Sequence, residues 1–376
     1  MSGPVFKYQG GVLPSEFGVI LPPDDEWLSR QPAEDVVLPS LPVVDTHHHL
    51  WDHPGLRYLP PELAADLNTG HNVIGTIHLD CEMAYRTHGP EQFKPVGETE
   101  FVGGEHMQSQ SGLYGSADIA GVSVGYADLS LGATVREVLD AHVSARLGRF
   151  KDVRLQSCWD PSNAIRNGQA GDRPRVLLDA AVRFGLAVID DMSLTFDSYL
   201  LLTQPDELAR PADAPPGLTI VMDHCGGPLA DGPYAEHRSE HYATWLRGIQ
   251  DVAKRPDVTG TLGGILNRTD IFDYLNADQA PSSEQPAYLW RQWIEPCIEA
   301  FGAGVCMFES NYPLENVDVG STTLWNTFER LAADATDDER SALFSGTATR
   351  VYTIDVLTHP LLPTSPPTSS TIGELL

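Results

Sequence analysis

The sequence predicts an α/β protein built as a (β/α)8 TIM barrel, with a doubly wound open sheet as the alternative. Three observations carry that prediction. Eight short runs are apolar and nearly free of charge, as strands covered on both faces of a parallel sheet are. Segments of helical period separate most of them over about 310 residues. No glycine-rich dinucleotide or phosphate turn follows an early run, and an open doubly wound sheet is expected to carry one.

The strand-like runs are Pro42–Asp45, Val73–Leu79, Ile119–Tyr126, Asp152–Leu155, Leu186–Ile189, Leu218–Met222, Val258–Leu262 and Gly304–Phe308. Helical spacing marks Val135, Leu139, His142 and Val143, then Val176, Leu177, Ala180 and Phe184. It returns in Tyr242, Trp245, Ile249 and Val252, and in Leu324, Phe328 and Leu331. Thr336-Asp337-Asp338-Glu339 is a capping box that opens a last helix, and Gly346 is placed to end it. Ser282–Gln285 repeats the signature ahead of Tyr288–Ala300. Residues 1–40, rich in proline and acids, read as an extension packed on the barrel. Residues 41–356 read as the barrel, and 357–376, with Pro, Ser and Thr, as a mobile tail.

Composition narrows the partners. The 376 residues carry 24 Lys+Arg against 52 Asp+Glu, a net charge of −28, so nucleic acid and anionic membrane surfaces would be repelled. Runs such as Leu218–Met222 are strand-sized, far below the roughly 20 residues of a membrane helix. Met1–Gly10 lacks a cationic segment followed by an apolar one, so no secretory leader is visible. Five scattered cysteines without C-x-x-C fit reduced thiols in the cytoplasm, and Cys158 and Cys225 read as buried and inert. The expected partner is a small-molecule substrate, in a chain free to form a homo-oligomer.

In a barrel, chemistry gathers at the carboxyl ends of the strands. The first run leads into Asp45-Thr46-His47-His48-His49-Leu50-Trp51-Asp52. Residues two apart on a strand share a face, so His47 and His49 point together and His48 points away. Paired imidazoles bind a transition metal or polarise a carbonyl; His48 and His53 read as packing. The sixth run leads into Asp223-His224-Cys225-Gly226-Gly227-Pro228, which puts a third imidazole within reach. The eighth leads into Glu309-Ser310-Asn311-Tyr312-Pro313, with Glu309 and Asn311 on one face. Arg154 lies inside the fourth run and needs an anion there, a substrate carboxylate or a nearby acid. The fifth places Asp190 and Asp191, then Ser193–Asp197, and the seventh ends in Gly263-Gly264, which leaves room but no reactive group.

These segments resemble the amidohydrolase superfamily, and within it the group of 2-pyrone-4,6-dicarboxylate lactonase and sugar-acid lactonases. The matching pieces are Asp45–Asp52, Val124-Gly125-Tyr126-Ala127-Asp128-Leu129, Met222–Pro228 and Met307–Pro313, in family order over roughly residues 41 to 354. Cys81-Glu82-Met83-Ala84-Tyr85-Arg86 and Pro95–Val102 look like a subgroup of the same family. The resemblance implies a barrel hydrolase with His47, His49 and His224 in its site. It implies at most one divalent metal on those histidines, zinc first, or none. A binuclear centre would need a strand-four lysine or glutamate and a strand-five histidine, and this chain offers Arg154 and no histidine there. The family's strand-eight aspartate, which activates water, is Asn311 here. An amide accepts no proton at neutral pH, so Glu309, Asp223 or His224 would have to substitute.

The leading expectation is a hydrolase acting on a lactone or related carbonyl compound, with a small carboxylate-bearing metabolite as substrate. His47 and His49 would bind the carbonyl oxygen, His224 would orient or protonate, and Glu309 would help activate water. Arg154, Arg57, Tyr85, Arg86 and Asp191 are the substrate-binding candidates, with the segment from Cys81 to Gly115 as a cover over the site. The alternatives are a metal-dependent non-oxidative decarboxylase and a non-catalytic ligand-binding barrel, the latter motivated by Asn311.

Overall fold

The computed structural model describes residues 25–354 apart from 54–55, 163–166, 170, 172, 202, 210–214, 216, 231–233, 235, 266–279 and 318. Most of the expected extension, and the whole of the tail expected at 357–376, fall outside the described residues.

Eight parallel strands form one sheet, with β2 (Trp51–His53) and β3 (Leu56–Tyr58) as a separate antiparallel pair. In sheet order they are β1 (Pro42–His48), β4 (Asn72–Leu79), β5 (Asp118–Tyr126), β6 (Phe150–Gln156), β7 (Thr195–Tyr199), β8 (Ile220–Met222), β9 (Val258–Leu262) and β10 (Cys306–Phe308). The chain order equals the sheet order, as in a barrel wound in one direction. The first and last strands meet where His48 bridges Tyr312. The Asn311 amide donates to His47 O at 2.8 Å, and the His49 amide to Tyr312 O at 2.7 Å. The (β/α)8 barrel is therefore the fold.

Helices lie between the strands because their apolar faces need the sheet's outer surface. Val135–Ala145 buries Val135, Val138, Leu139 and His142, and Arg238–Val252 buries Trp245, Ile249 and Val252. Of the expected extension, residues 31–38 lie along the helix Ser321–Leu331. The Val37 and Leu38 amides donate to Asn326 Oδ1 and Glu329 Oε2 at 3.0 and 2.9 Å.

Four local expectations are corrected. Leu186–Ile189 is not a strand but the buried face of the helix Ala180–Asp191, which Asp179 caps by accepting from the Ala181 amide at 2.8 Å. A short apolar run carries no period that separates helix from strand. The fifth strand is Thr195–Tyr199, whose polar letters hide five buried residues. Gly346 does not end the last helix; a π-turn over Ala342–Gly346 runs into Thr347–Val351, where Ala348 is buried in the core. The Thr336 capping box forms as expected, but that of Ser282–Gln285 does not. Ser283 Oγ instead donates to Glu34 Oε1 at 3.0 Å. The segment from Cys81 to Gly115 is no continuous cover, since Val96–Ser109 is the barrel helix after β4.

Candidate active site

The strand ends bring the three predicted imidazoles together. The ring centroid of His47 is 5.0 Å from that of His49 and 4.6 Å from that of His224. His48 points away, as its place on β1 requires, and its Nε2 meets Thr76 Oγ1 at 2.9 Å. The β1 end is fixed by Asp45, which accepts from the His47 amide (3.3 Å), the Ser310 amide (2.9 Å) and Ser310 Oγ (2.6 Å). Burial pushes the Asp45 carboxyl up to about 7 against those hydrogen bonds. His224 has φ +52° and is followed by Cys225 at +52°, Gly226 at +68° and Gly227 at +61°. A left-handed turn right after β8 is costly for residues with a Cβ, and here it turns His224 back over the barrel.

Glu309 joins two of the imidazoles. Its Oε1 lies 2.7 Å from His224 Nδ1, and its Oε2 lies 3.1 Å from His47 Nδ1. The carboxyl is completely buried, and burial, then the nearby Asp223, raise its pKa well above the ordinary range. Space for this pair comes from the end of β9. A Cβ on Gly264 would fall 2.0 Å from His224 Nδ1, and one on Gly263 would fall 2.6 Å from Glu309 Cγ.

Two of the three imidazoles are held low. Burial, then Arg154, hold His49 down at about 3, and the same two causes hold His47 well below its ordinary value. His49 Nδ1 lies 2.9 Å from Leu79 O, so this nitrogen carries the proton and Nε2 is left as an acceptor. A neutral imidazole in that tautomer cannot donate to a carbonyl oxygen, so His49 does not form the oxyanion contact expected of it. Trp51 stacks parallel to His49 at 5.7 Å and fixes the ring plane.

The substrate-binding candidates fare worse. Arg154 is buried with its Nη2 2.9 Å from Asp223 Oδ2 and its Nε 3.6 Å from Asp197 Oδ1. Burial opposes its charge, but the Asp223 and Asp197 carboxylates outweigh that and hold it firmly protonated. It is an internal ion pair, not a clamp for a substrate carboxylate. Arg57 pairs with Glu62 and Arg86 with Glu100, both at the surface. Asp191 ends the helix Ala180–Asp191 and pairs with Arg136 in solvent, because the strand that was to present it lies elsewhere. Tyr85 does reach the mouth, donating to Asp80 Oδ2 at 2.9 Å. Asn311 has φ +53° and its Nδ2 lies 3.4 Å from Glu315 Oε1. Asp197, expected only at the end of the segment Ser193–Asp197 that follows the fifth run, lies instead inside the fifth strand, Thr195–Tyr199, where it faces Arg154.

The donors fit a divalent cation. His47, His224 and Glu309 each offer one ligand atom, all within 4.8 Å of one another. Both His47 ring nitrogens, Glu309 Oε2 and Asp223 Oδ1 are buried without a hydrogen-bond partner among the described residues. Such groups are costly unless something satisfies them. The set differs from the expected His47, His49 and His224: Glu309 takes the place given to His49.

The chain is similar to several known proteins. A curated relative from Sinorhizobium fredii, "Uncharacterized protein y4mH", is 25% identical over 342 residues, 84% of this chain and 99% of its own. An L-fucono-1,5-lactonase from Burkholderia multivorans is 21% identical over 314 residues, 83% of this chain and 96% of its own. A zinc-bound amidohydrolase structure from Burkholderia multivorans superposes with a TM-score of 0.63 at 19% identity, covering 83% of this chain and 99% of that one. The Amidohydrolase family model matches residues 44–354, the span from β1 through the last helix, and the chain belongs to that family.

Proposed function

We propose that the protein is a metal-assisted hydrolase that opens a lactone of a polyhydroxy acid. The observation that carries the reading is the convergence of His47, His224 and Glu309, with buried ring and carboxylate atoms lacking partners. The likeness to an L-fucono-1,5-lactonase supports a sugar-acid lactone over other carbonyl compounds. The pairing of Arg154, Arg57 and Arg86 with acids of this chain argues against a substrate chosen for its carboxylate.

His47, His224 and Glu309 would hold the cation, which supplies Lewis-acid polarisation of the carbonyl and a more acidic water. The remaining steps fall to the chain. Glu309 Oε1 holds His224 through its Nδ1, Oε2 stays 3.1 Å from His47 Nδ1, and Gly263-Gly264 leaves the space for the carboxyl. His49, neutral above pH of about 3, presents Nε2 as the acceptor for the proton of the attacking water. The same imidazolium then returns that proton to the ring oxygen as the C–O bond breaks, giving the hydroxy acid. Asn311 accepts no proton, so in this reading the base is His49, just beyond the end of β1. With so low a pKa, His49 is a weak base, and its contribution is about 100-fold, the low end for this kind of catalysis.

The test is a screen of aldonic-acid lactones with zinc-loaded protein, followed by metal analysis of variants. His47→Ala, His224→Ala and Glu309→Gln are expected to lose both the metal and turnover. His49→Ala should keep one metal per chain at this site while kcat falls about 100-fold. Absence of lactone turnover, or loss of the metal in His49→Ala together with full retention in Glu309→Gln, would refute the assignment.

A further inference from the structure

We propose a second divalent-cation site, bearing a cysteine, formed by His78, Cys81 and Glu98 beside the mouth of the barrel. It is separate from the His47 cluster and does not depend on the reaction assigned above. His78 is the penultimate residue of β4, Cys81 lies two residues beyond that strand, and Glu98 sits in the first turn of the helix Val96–Ser109. Each of the three offers one ligand atom, and these atoms all lie within 4.8 Å of one another.

Two features set this group apart from a chance cluster. His78 is 1% exposed, and its Nε2 has no hydrogen-bond partner among the described residues. That nitrogen is 3.5 Å from Glu98 Oε1, so a buried, unsatisfied donor atom is aimed at the carboxylate. The carboxylate in turn is held in place. Glu98 Oε1 accepts from the Cys81 amide at 3.0 Å, and Oε2 accepts from the Met83 amide at 3.0 Å. Cys81 Sγ lies 3.2 Å from Glu98 Oε1, so the thiol hydrogen occupies the position a cation would take. Binding replaces that hydrogen: the S–H bond breaks, a sulfur–metal bond forms, and one proton leaves to solvent. No oxidant or other reactant is needed.

A nitrogen, a thiolate sulfur and a carboxylate oxygen are the donor types of zinc and its neighbours, not of magnesium or calcium. Ordinary packing gives the bland reading, in which Glu98 only caps the turn at 81–83. That reading accounts for the two amides but not for the His78 nitrogen. The site's consequence would be mechanical. Cys81 and Met83 pack against Trp51, which stacks on His49, and Tyr85 closes the same turn onto Asp80. A cation there would pin the turn that borders the active site.

The experiment uses the full-length protein, stripped with chelator and titrated with cobalt(II). A thiolate ligand gives a near-ultraviolet charge-transfer band that nitrogen and oxygen ligands do not. The wild type is expected to develop that band, with one more bound cobalt than Cys81→Ser, which should lack it. His78→Gln and Glu98→Gln should weaken the band-forming step at least about tenfold, whereas His47→Ala should leave it intact. Cys225→Ser, at a cysteine next to the other cluster, should also keep it. Failure of the wild type to develop the band overturns the proposal, without reliance on any variant folding. So does persistence of the band in Cys81→Ser or its loss in Cys225→Ser.

Discussion

Adding one methyl group at Gly264 should disable the site while leaving the barrel standing. The Cβ of Gly264→Ala would sit 2.0 Å from His224 Nδ1 and 2.6 Å from its Cε1 and Cγ. Bonded neighbours aside, carbon does not approach that closely, so the imidazole must retreat by about 1 Å or more before contact becomes tolerable. The retreat has nowhere harmless to go. Nδ1 is the atom 2.7 Å from Glu309 Oε1, and the ring is 3% exposed and 5.2 Å from Tyr199 on another side. A displacement of that size costs about 100-fold in rate when the group must be in place for reaction. Alanine at φ +61° adds roughly 1–2 kcal/mol of backbone strain. The assay is kcat/KM on the responsive lactone, zinc content, and a denaturant titration, run beside Gly260→Ala. Gly260 is two residues before the end of β9, has an ordinary φ, and a Cβ there would meet nothing closer than 4.0 Å. The expected pattern is a hundredfold loss and weakened zinc in Gly264→Ala, with Gly260→Ala near wild type in both. Wild-type kcat/KM and zinc in Gly264→Ala would falsify the claim that His224 is held by Glu309 through this gap.

Two further outcomes follow from the buried charges. Arg154→Met removes the guanidinium between Asp197 and Asp223 and leaves both carboxylates buried, so a loss of about 3–5 kcal/mol in unfolding free energy is expected. A variant that changed only KM would instead restore the substrate-clamp reading. His142 gives the pH prediction, remote from the site: burial lowers it to about 4, with Thr99 Oγ1 at 2.7 Å and Tyr126 O at 3.0 Å. Its folded pKa lies below the unfolded 6.5. Its stability contribution is therefore complete above pH 6.5 and lost as pH falls through about 4, a swing of about 3 kcal/mol. His142→Gln should lessen the drop in unfolding free energy between pH 7 and pH 4 by that order. An unchanged drop would mean that His142 is not neutral in the folded protein.

Legibility in the sequence tracked how locally each feature is encoded. The β1 imidazoles were readable because the two-residue period of a strand puts His47 and His49 on one side and His48 on the other. The capping box at Thr336 was readable because all its hydrogen bonds lie within four residues. Strand five was not, because Thr195–Tyr199 looks polar and owes its burial to partners far along the chain. Thr195 Oγ1 donates to Asp152, and Asp197 faces Arg154. The arginine itself was seen, but its partner was a matter of distance across the barrel, and the sequence gives no distances. The same limit hid that Arg86 pairs with Glu100 and that Asp191 ends a helix and pairs with Arg136.

The residues at 309 and 311 are best understood together. Asn311 alone would read as loss of function. Yet Glu309, two residues earlier, supplies a buried carboxylate beside two of the three imidazoles, and it fits only because two glycines, Gly263 and Gly264, follow β9. An aspartate restored at 311 would face Glu315, whose Oε1 already lies 3.4 Å from the Asn311 amide nitrogen. With the carboxylate at 309 present, that change adds a like charge instead of a base. Asn311→Asp should therefore lower stability, by about 1–3 kcal/mol for turning a buried donor–acceptor contact into a repulsive one, and leave turnover no faster. A gain of turnover in this variant would show that a carboxylate at 311 sets the chemistry and that Glu309 does not replace it.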